Sequence, residues 1–91
     1  MEKTRPGVYR HYKGKEYSVY GEAILSGSEV LNDPTYVVVY RPRYGARQLT
    51  YRPKTEFFET IQAPDGPKPR FVFVREFDEP ELKAVAECFS S

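Results

Sequence analysis

The segment Gly7-Val8-Tyr9-Arg10-His11-Tyr12-Lys13-Gly14-Lys15-Glu16-Tyr17-Ser18-Val19-Tyr20-Gly21 constrains the fold more than any other stretch of the chain. Two runs of aromatic and β-branched residues flank Lys13-Gly14. Such residues fit a pleated, half-buried surface and Gly supplies the turn, so the pattern predicts a β-hairpin with strands over 8–12 and 16–26. In the second strand Tyr17, Val19, Gly21, Ala23 and Leu25 share one face, taken here as the core face. Gly21 in mid-strand predicts a bulge or sharp bend.

Downstream, residues 27–34 are rich in breakers and read as a loop. The run Tyr36-Val37-Val38-Val39-Tyr40 predicts a central strand over 35–41, because a continuous apolar run implies burial on both faces. Pro42-Arg43-Tyr44-Gly45 turns the chain, and 47–52 returns as a fourth strand ended by Pro53. Thr55 is suited to cap a short helical turn through Glu56-Phe57-Phe58-Glu59, which would plug one end of the sheet. Residues 63–69 read as a stiff, proline-rich loop, and 70–77 as a fifth strand with Phe71, Phe73 and Phe77 on one face. Asp78 and Glu81 form a capping box for a helix over 79–89, with Pro80 tolerated in its first turn. Leu82, Val85, Ala86 and Phe89 recur at helical spacing and predict an apolar stripe that docks on the sheet. The expected fold is mainly β: a bent five-stranded antiparallel sheet or small SH3-like barrel with a C-terminal helix.

Ninety-one residues allow one domain, 1–91. A chain of this size buries only roughly 60–65% of its unfolded surface, so eight Tyr and six Phe must supply most of the core. One cysteine, Cys88, excludes an internal disulfide, and with one histidine it excludes a Cys/His zinc site. Beside Glu87 near a helix C-terminus, Cys88 is expected to be inert. No cofactor motif is present. No apolar run reaches the roughly 20 residues of a membrane span, and a cytoplasmic protein is expected. Net charge is +1, but charge is arranged in blocks. Residues 16–40 carry Glu16, Glu22, Glu29 and Asp33 with no base, and 41–54 carry Arg41, Arg43, Arg47, Arg52 and Lys54 with no acid. Pairing between these blocks across neighbouring strands is expected, and it would leave nucleic-acid binding weak.

The opening Gly7-Val8-Tyr9-Arg10-His11-Tyr12-Lys13-Gly14 is followed by Val38-Val39-Tyr40, Tyr44-Gly45, Arg52-Pro53 and Pro69-Arg70-Phe71. In these motifs the chain resembles a family of short bacterial proteins of unknown function, over about residues 6–73. The resemblance implies a compact β-rich domain and carries no activity. The chain departs from that pattern at Leu25-Ser26-Gly27-Ser28, where relatives have a His-Ser-Glu-Thr-like stretch, and at Ala46, where relatives often have Asp.

Arg10, His11, Tyr12, Tyr40, Tyr44 and Arg52 are the candidate ligand-binding residues. Arginine beside aromatic rings on a curved sheet can grip a carboxylate or phosphate and stack a flat group. The leading expectation is a binding module for an anionic or flat ligand: a peptide carboxylate, a nucleotide or single-stranded nucleic acid. Two other readings stand beside it. One is a small hydrolase-like enzyme using His11, with Ser18, Ser26 or Ser28 and Glu22 as partners. The other is an accessory subunit whose exposed aromatics meet another protein. No catalytic or metal-binding residue is assigned.

Overall fold

The structure, a computed structural model, describes residues 4–27 and 34–89, with side chains through Ala84. The hairpin forms where the aromatic runs place it. Strand β1 (Gly7–His11) pairs antiparallel with β2 (Glu16–Ile24), and Tyr9 lies opposite Tyr17. The Gly14 N–H bonds back to the His11 carbonyl at 2.7 Å, and Gly14 adopts φ 103°, which Gly reaches without a Cβ penalty. The sheet is completed by β3 (Tyr36–Pro42), β4 (Thr50–Pro53) and β7 (Phe71–Arg75), in the order β4-β3-β2-β1-β7.

The sheet is open, so of the two forms expected the bent sheet is the one adopted and the closed barrel is not. Its edges are β4 and β7. β4 has only four residues and ends at Pro53, which has no N–H to extend the ladder. The chain then enters the short helix α1 (Lys54–Phe57), and Phe57 closes the concave side. Its ring is fully buried, stacks on Phe71 at 4.2 Å and 3°, and meets Tyr9 and Tyr40 at 5.5 Å each. One residue from α1 therefore bridges β1, β3 and β7. Tyr9, Val19, Val38, Tyr40, Phe57 and Phe71 make the core, with Tyr17 and Phe73 packed against it.

A bulge in β2 changes which residues reach that core. Val19 pairs with Tyr40 and Gly21 with Val39, which leaves Tyr20 as the extra residue. Tyr20 and Gly21 thus lie on the outer side together, and the alternation beyond them is inverted. Gly21, Ala23 and Leu25, expected on the core face, sit on the outer face, where Ala23 and Leu25 are exposed. Glu22 turns inward instead and meets buried Lys54 at 2.9 Å. This is one of the pairings expected between the charge blocks. Glu16 pairs with Arg10 instead, and Glu29 and Asp33 lie outside the described residues.

Three further expectations are corrected. The stretch 63–69 is not only a loop: β5 (Thr60–Ala63) and β6 (Gly66–Pro69) form a second, two-stranded sheet. Pro67 and Pro69 are tolerated there because a lone pair of strands needs no N–H on its outer edge. Thr55 is inside α1 rather than capping it; Pro53 occupies the N-cap and makes no side-chain cap bond. Leu82, first of the helical stripe, is 53% exposed and does not dock. The side chains of Val85, Ala86, Glu87, Cys88 and Phe89 lie outside the described residues. The capping box of α2 (Glu79–Phe89) does form: the Glu81 N–H donates to Asp78 Oδ1 at 3.0 Å, and the Asp78 N–H to Glu81 Oε1 at 3.3 Å.

Candidate functional site

Strand alternation assigns the candidate residues to faces. His11 shares the inner face with Tyr9, Tyr17, Tyr40, Phe71 and Arg52, since Val38 pairs with Arg52 and Tyr9 with both Tyr17 and Phe73. Arg10 is on the outer face. It pairs with Glu16 and bonds that carboxylate at 3.0 Å in an exposed pair. Five of the six candidates therefore gather at one end of the inner face, and Arg10 stands apart.

At this end the rings are linked edge to face. The Tyr17 ring lies 5.3 Å from Phe71, 5.6 Å from Tyr40 and 5.7 Å from Tyr44. The Tyr17 and Tyr44 hydroxyls share a 2.8 Å hydrogen bond. Burial first, then that bond, pushes the Tyr17 hydroxyl up to about 12, so it stays neutral. Lys15 Nζ sits 4.7 Å over the Tyr44 ring, a cation–π contact at the rim. Tyr17 was not among the residues singled out for binding; its place on the inner side of β2 was the signal for it.

His11 is half-buried, with its ring edge-on to Phe71 at 5.0 Å and tilted on Tyr12 at 4.5 Å. Its Nδ1 accepts the Lys13 N–H at 3.2 Å. Burial lowers its pKa, and Arg70, Lys13 and Arg52 lower it further by repelling a proton. His11 is thus a neutral ring at pH 7. The groups weighed for a catalytic triad do not meet it. Ser18 faces outward and accepts from Arg43 at 2.9 Å, while Glu22 is held by Lys54. Ser26 lies beyond the end of β2, and Ser28 is outside the described residues.

Arg52 is the cation of the inner rim. Its Nε donates to the Tyr40 hydroxyl at 3.3 Å, and that bond foremost raises its pKa. No carboxylate lies within 4 Å of its guanidinium among the described residues, although Glu56 adds a favourable field. The four terminal N–H groups face no acceptor there, an open fork of the kind that fits a carboxylate. Arg70, in contrast, is occupied by Glu59 at 3.0 Å and by the Glu56 carbonyl at 3.1 Å.

The remaining cations of the basic block lie elsewhere. Arg41 and Arg43 face outward with Arg47 around a cleft under α2, and Lys54 is neutralised by Glu22. Among the described residues no cluster of three His, Cys, Asp or Glu side chains is present, and no helix is long and apolar enough to cross a membrane.

No curated protein matches the chain. A solved DUF1653 protein from Bordetella bronchiseptica is similar to it, with 36% identity and a TM-score of 0.65. The match covers 82% of this chain and 92% of that one. The family described as "Protein of unknown function (DUF1653)" matches residues 7–73, the span from the first strand to the middle of the last. That match and the shared fold place the chain in the DUF1653 family.

Proposed function

We propose that this protein is a non-catalytic binding module whose inner rim grips the carboxylate of a peptide. One observation carries the reading: the Arg52 fork is oriented through Nε by Tyr40 and has no acid partner among the described residues. A single guanidinium matches a single carboxylate in a bidentate pair. Tyr44, Tyr12 and neutral His11 offer ring faces and edges to the side chain next to that carboxylate. A nucleotide or single strand would use the same rings, but the basic block is divided between two faces of the sheet. That division supports weak nucleic-acid binding, at best ~10⁻⁴–10⁻⁶ M as for non-specific contacts.

The test is an NMR titration of the protein with a short aromatic peptide bearing a free C-terminus, against its amidated form. The free acid is expected to shift Arg52, Tyr44 and His11 signals saturably, with the amide weaker by about tenfold or more, the worth of a charge-assisted bond. Arg52→Lys keeps the charge, loses the fork and is expected to bind like the amide. Equal binding of acid and amide overturns the reading. So does turnover of generic ester, phosphate or nuclease substrates that His11→Ala abolishes with the fold intact.

A further inference from the structure

We infer that the cleft between the outer face of the sheet and α2 is a binding site for the phosphate group of a phosphomonoester. This site is separate from the inner rim. It has a volume of about 410 Å³, within the range of small-molecule sites, and Ser18, Tyr20, Arg41, Arg43, Arg47 and Phe77 line it.

The sequence builds the site with strand alternation and one turn. Arg41 lies on β3 and Arg43 just past its end, and both side chains line the cleft. The turn that follows brings Arg47 back to them. Arg47 has φ 51°, the only non-glycine residue with positive φ among the described residues. A side chain held in this left-handed conformation costs free energy, and such positions concentrate at ligand clamps. The bulge at Tyr20 supplies the floor. It turns Tyr20 outward, where its ring stacks on Phe77 at 6.2 Å and 29°.

Charge decides what the cleft holds. Among the described residues, three guanidiniums face one carboxylate, Glu81. Arg43 bonds Glu81 at 2.7 Å, and Glu81 is shared with Arg75 at 2.8 Å. Arg41 and Arg47 have no carboxylate within 4 Å among the described residues, and Arg41 Nε is buried without a hydrogen-bond partner. A buried donor left unpaired is costly, and a bound anion that draws the Arg41 side chain toward it would relieve that cost. Arginine forks recognise phosphate oxygens in bidentate pairs, and several guanidiniums suit a dianion where one suits a carboxylate. The Tyr20–Phe77 floor then takes the organic part of the ester. Because Arg75 also holds Glu81, Arg43 can turn to the phosphate while α2 keeps one anchor.

The probe is phenyl phosphate, titrated into the full chain at constant ionic strength and followed by arginine Nε–Hε and backbone NMR signals. Saturable shifts are expected at Arg41, Arg43, Arg47, Tyr20 and Phe77, with Kd below about 1 mM. Binding should weaken as pH falls through about 6, where the ester takes up its second proton. Arg47→Ala, in an exposed turn where folding is safe, is expected to weaken binding by about tenfold, and Arg41→Lys by a similar factor through loss of the fork. The shifts at Arg41, Arg47, Tyr20 and Phe77 report this cleft and not the inner rim, so the result stands or falls independently of the reading of Arg52. No saturation up to about 10 mM, or an affinity unchanged from the parent chain in both the Arg47→Ala and Arg41→Lys variants, overturns the inference. Equal shifts from benzoate overturn the assignment to phosphate.

Discussion

The two faces of the central sheet are held by different forces. The inner face is joined by rings: Phe57 on Phe71, Tyr9 against Phe73 at 5.4 Å, Tyr17 against Tyr40. Among the described residues the outer face meets α2 through charges, with Glu81 clasped by Arg43 and Arg75 while Leu82 stays exposed. Aromatic burial contributes in proportion to area removed from water. Ion pairs near solvent contribute about 0–1 kcal/mol and weaken with salt. Ring packing on the inner face therefore contributes more than the Glu81 ion pairs, while Val8 and Phe77 are buried on the outer side. That leaves the outer arginines available for other chemistry.

The largest test of this contrast is Phe57→Ala. Phe57 is fully buried and touches three strands, so its loss is expected to cost ~3–5 kcal/mol, the range for buried aromatic truncation. In a domain of this size that lowers the melting temperature by more than about 10 °C. Phe73→Ala should cost less, because Phe73 is half-buried and its outer side is covered by the Arg5 guanidinium at 4.1 Å. A larger loss at Phe73 than at Phe57 would move the centre of the core away from α1.

Next comes a charged pair on the inner side. Lys54 is 6% exposed and meets Glu22, whose pKa is lowered first by the bond from the Thr4 N–H and then by Lys54. Lys54→Met leaves the Glu22 carboxylate half-buried with one donor and is expected to cost about 3 kcal/mol. Lys54→Met with Glu22→Leu should recover most of that, since an apolar pair of similar volume is near neutral. Denaturant midpoints with unchanged slopes would measure both. No recovery in the double variant would mean that the pair itself, rather than the orphaned charge, carries the stability.

These two sites mark how far local pattern could be read. The hairpin, the β3 run, the capping box of α2 and the burial of Val38, Tyr40 and Phe71 follow from alternation and turn chemistry within a few residues, whereas Phe73, expected in the same buried set, is only half-buried. Gly21 announced the bulge, but whether the residue before or after it becomes the extra one depends on the partner strand. The inversion that turns Glu22 inward and Ala23 outward was therefore hidden. The β5–β6 hairpin was masked by prolines, which argue against strands except at edges. For the candidate site, grouping Tyr40, Tyr44 and Arg52 with His11 was within reach of sequence. Arg10 was misplaced because neighbours in a strand point to opposite faces, a consequence of β geometry that listing residues by motif ignores.

Acid separates the two faces by pH. His11 is lowered from 6.5 by burial, so the unfolded chain takes up a proton more readily. The inner face is then expected to lose stability as pH falls through about 6.5, and His11→Phe should remove that slope. Glu81 behaves in the opposite chemical sense with the same direction of effect. The Arg75 bond first, then Arg43 and the Asp78 N–H, lower its pKa from 4.5 to about 2. Its contribution is present above 4.5 and lost as pH falls toward 2. Screening near solvent holds this to about 1 kcal/mol, and Glu81→Gln should abolish the lower transition while sparing the upper one. Urea midpoints taken across the two windows would show whether the faces titrate separately. A single merged transition would mean that the faces are coupled through the sheet.

The smallest expected effect is at Arg10. Its guanidinium is 56% exposed and its partner Glu16 is 39% exposed, bonded across the β1–β2 hairpin at 3.0 Å. Such a pair gains little Coulomb energy in water and loses side-chain entropy in forming. Arg10→Ala is therefore expected to change stability by less than about 0.5 kcal/mol and to leave peptide binding at the inner rim unchanged. The comparison is sharpest against Arg52→Ala, one face away, which should also leave stability nearly unchanged but abolish the preference for a free carboxylate. If Arg10→Ala weakened peptide binding as much as Arg52→Ala, the ligand would have to wrap the end of the hairpin and touch both faces. The division of labour between the faces would then fail at that edge.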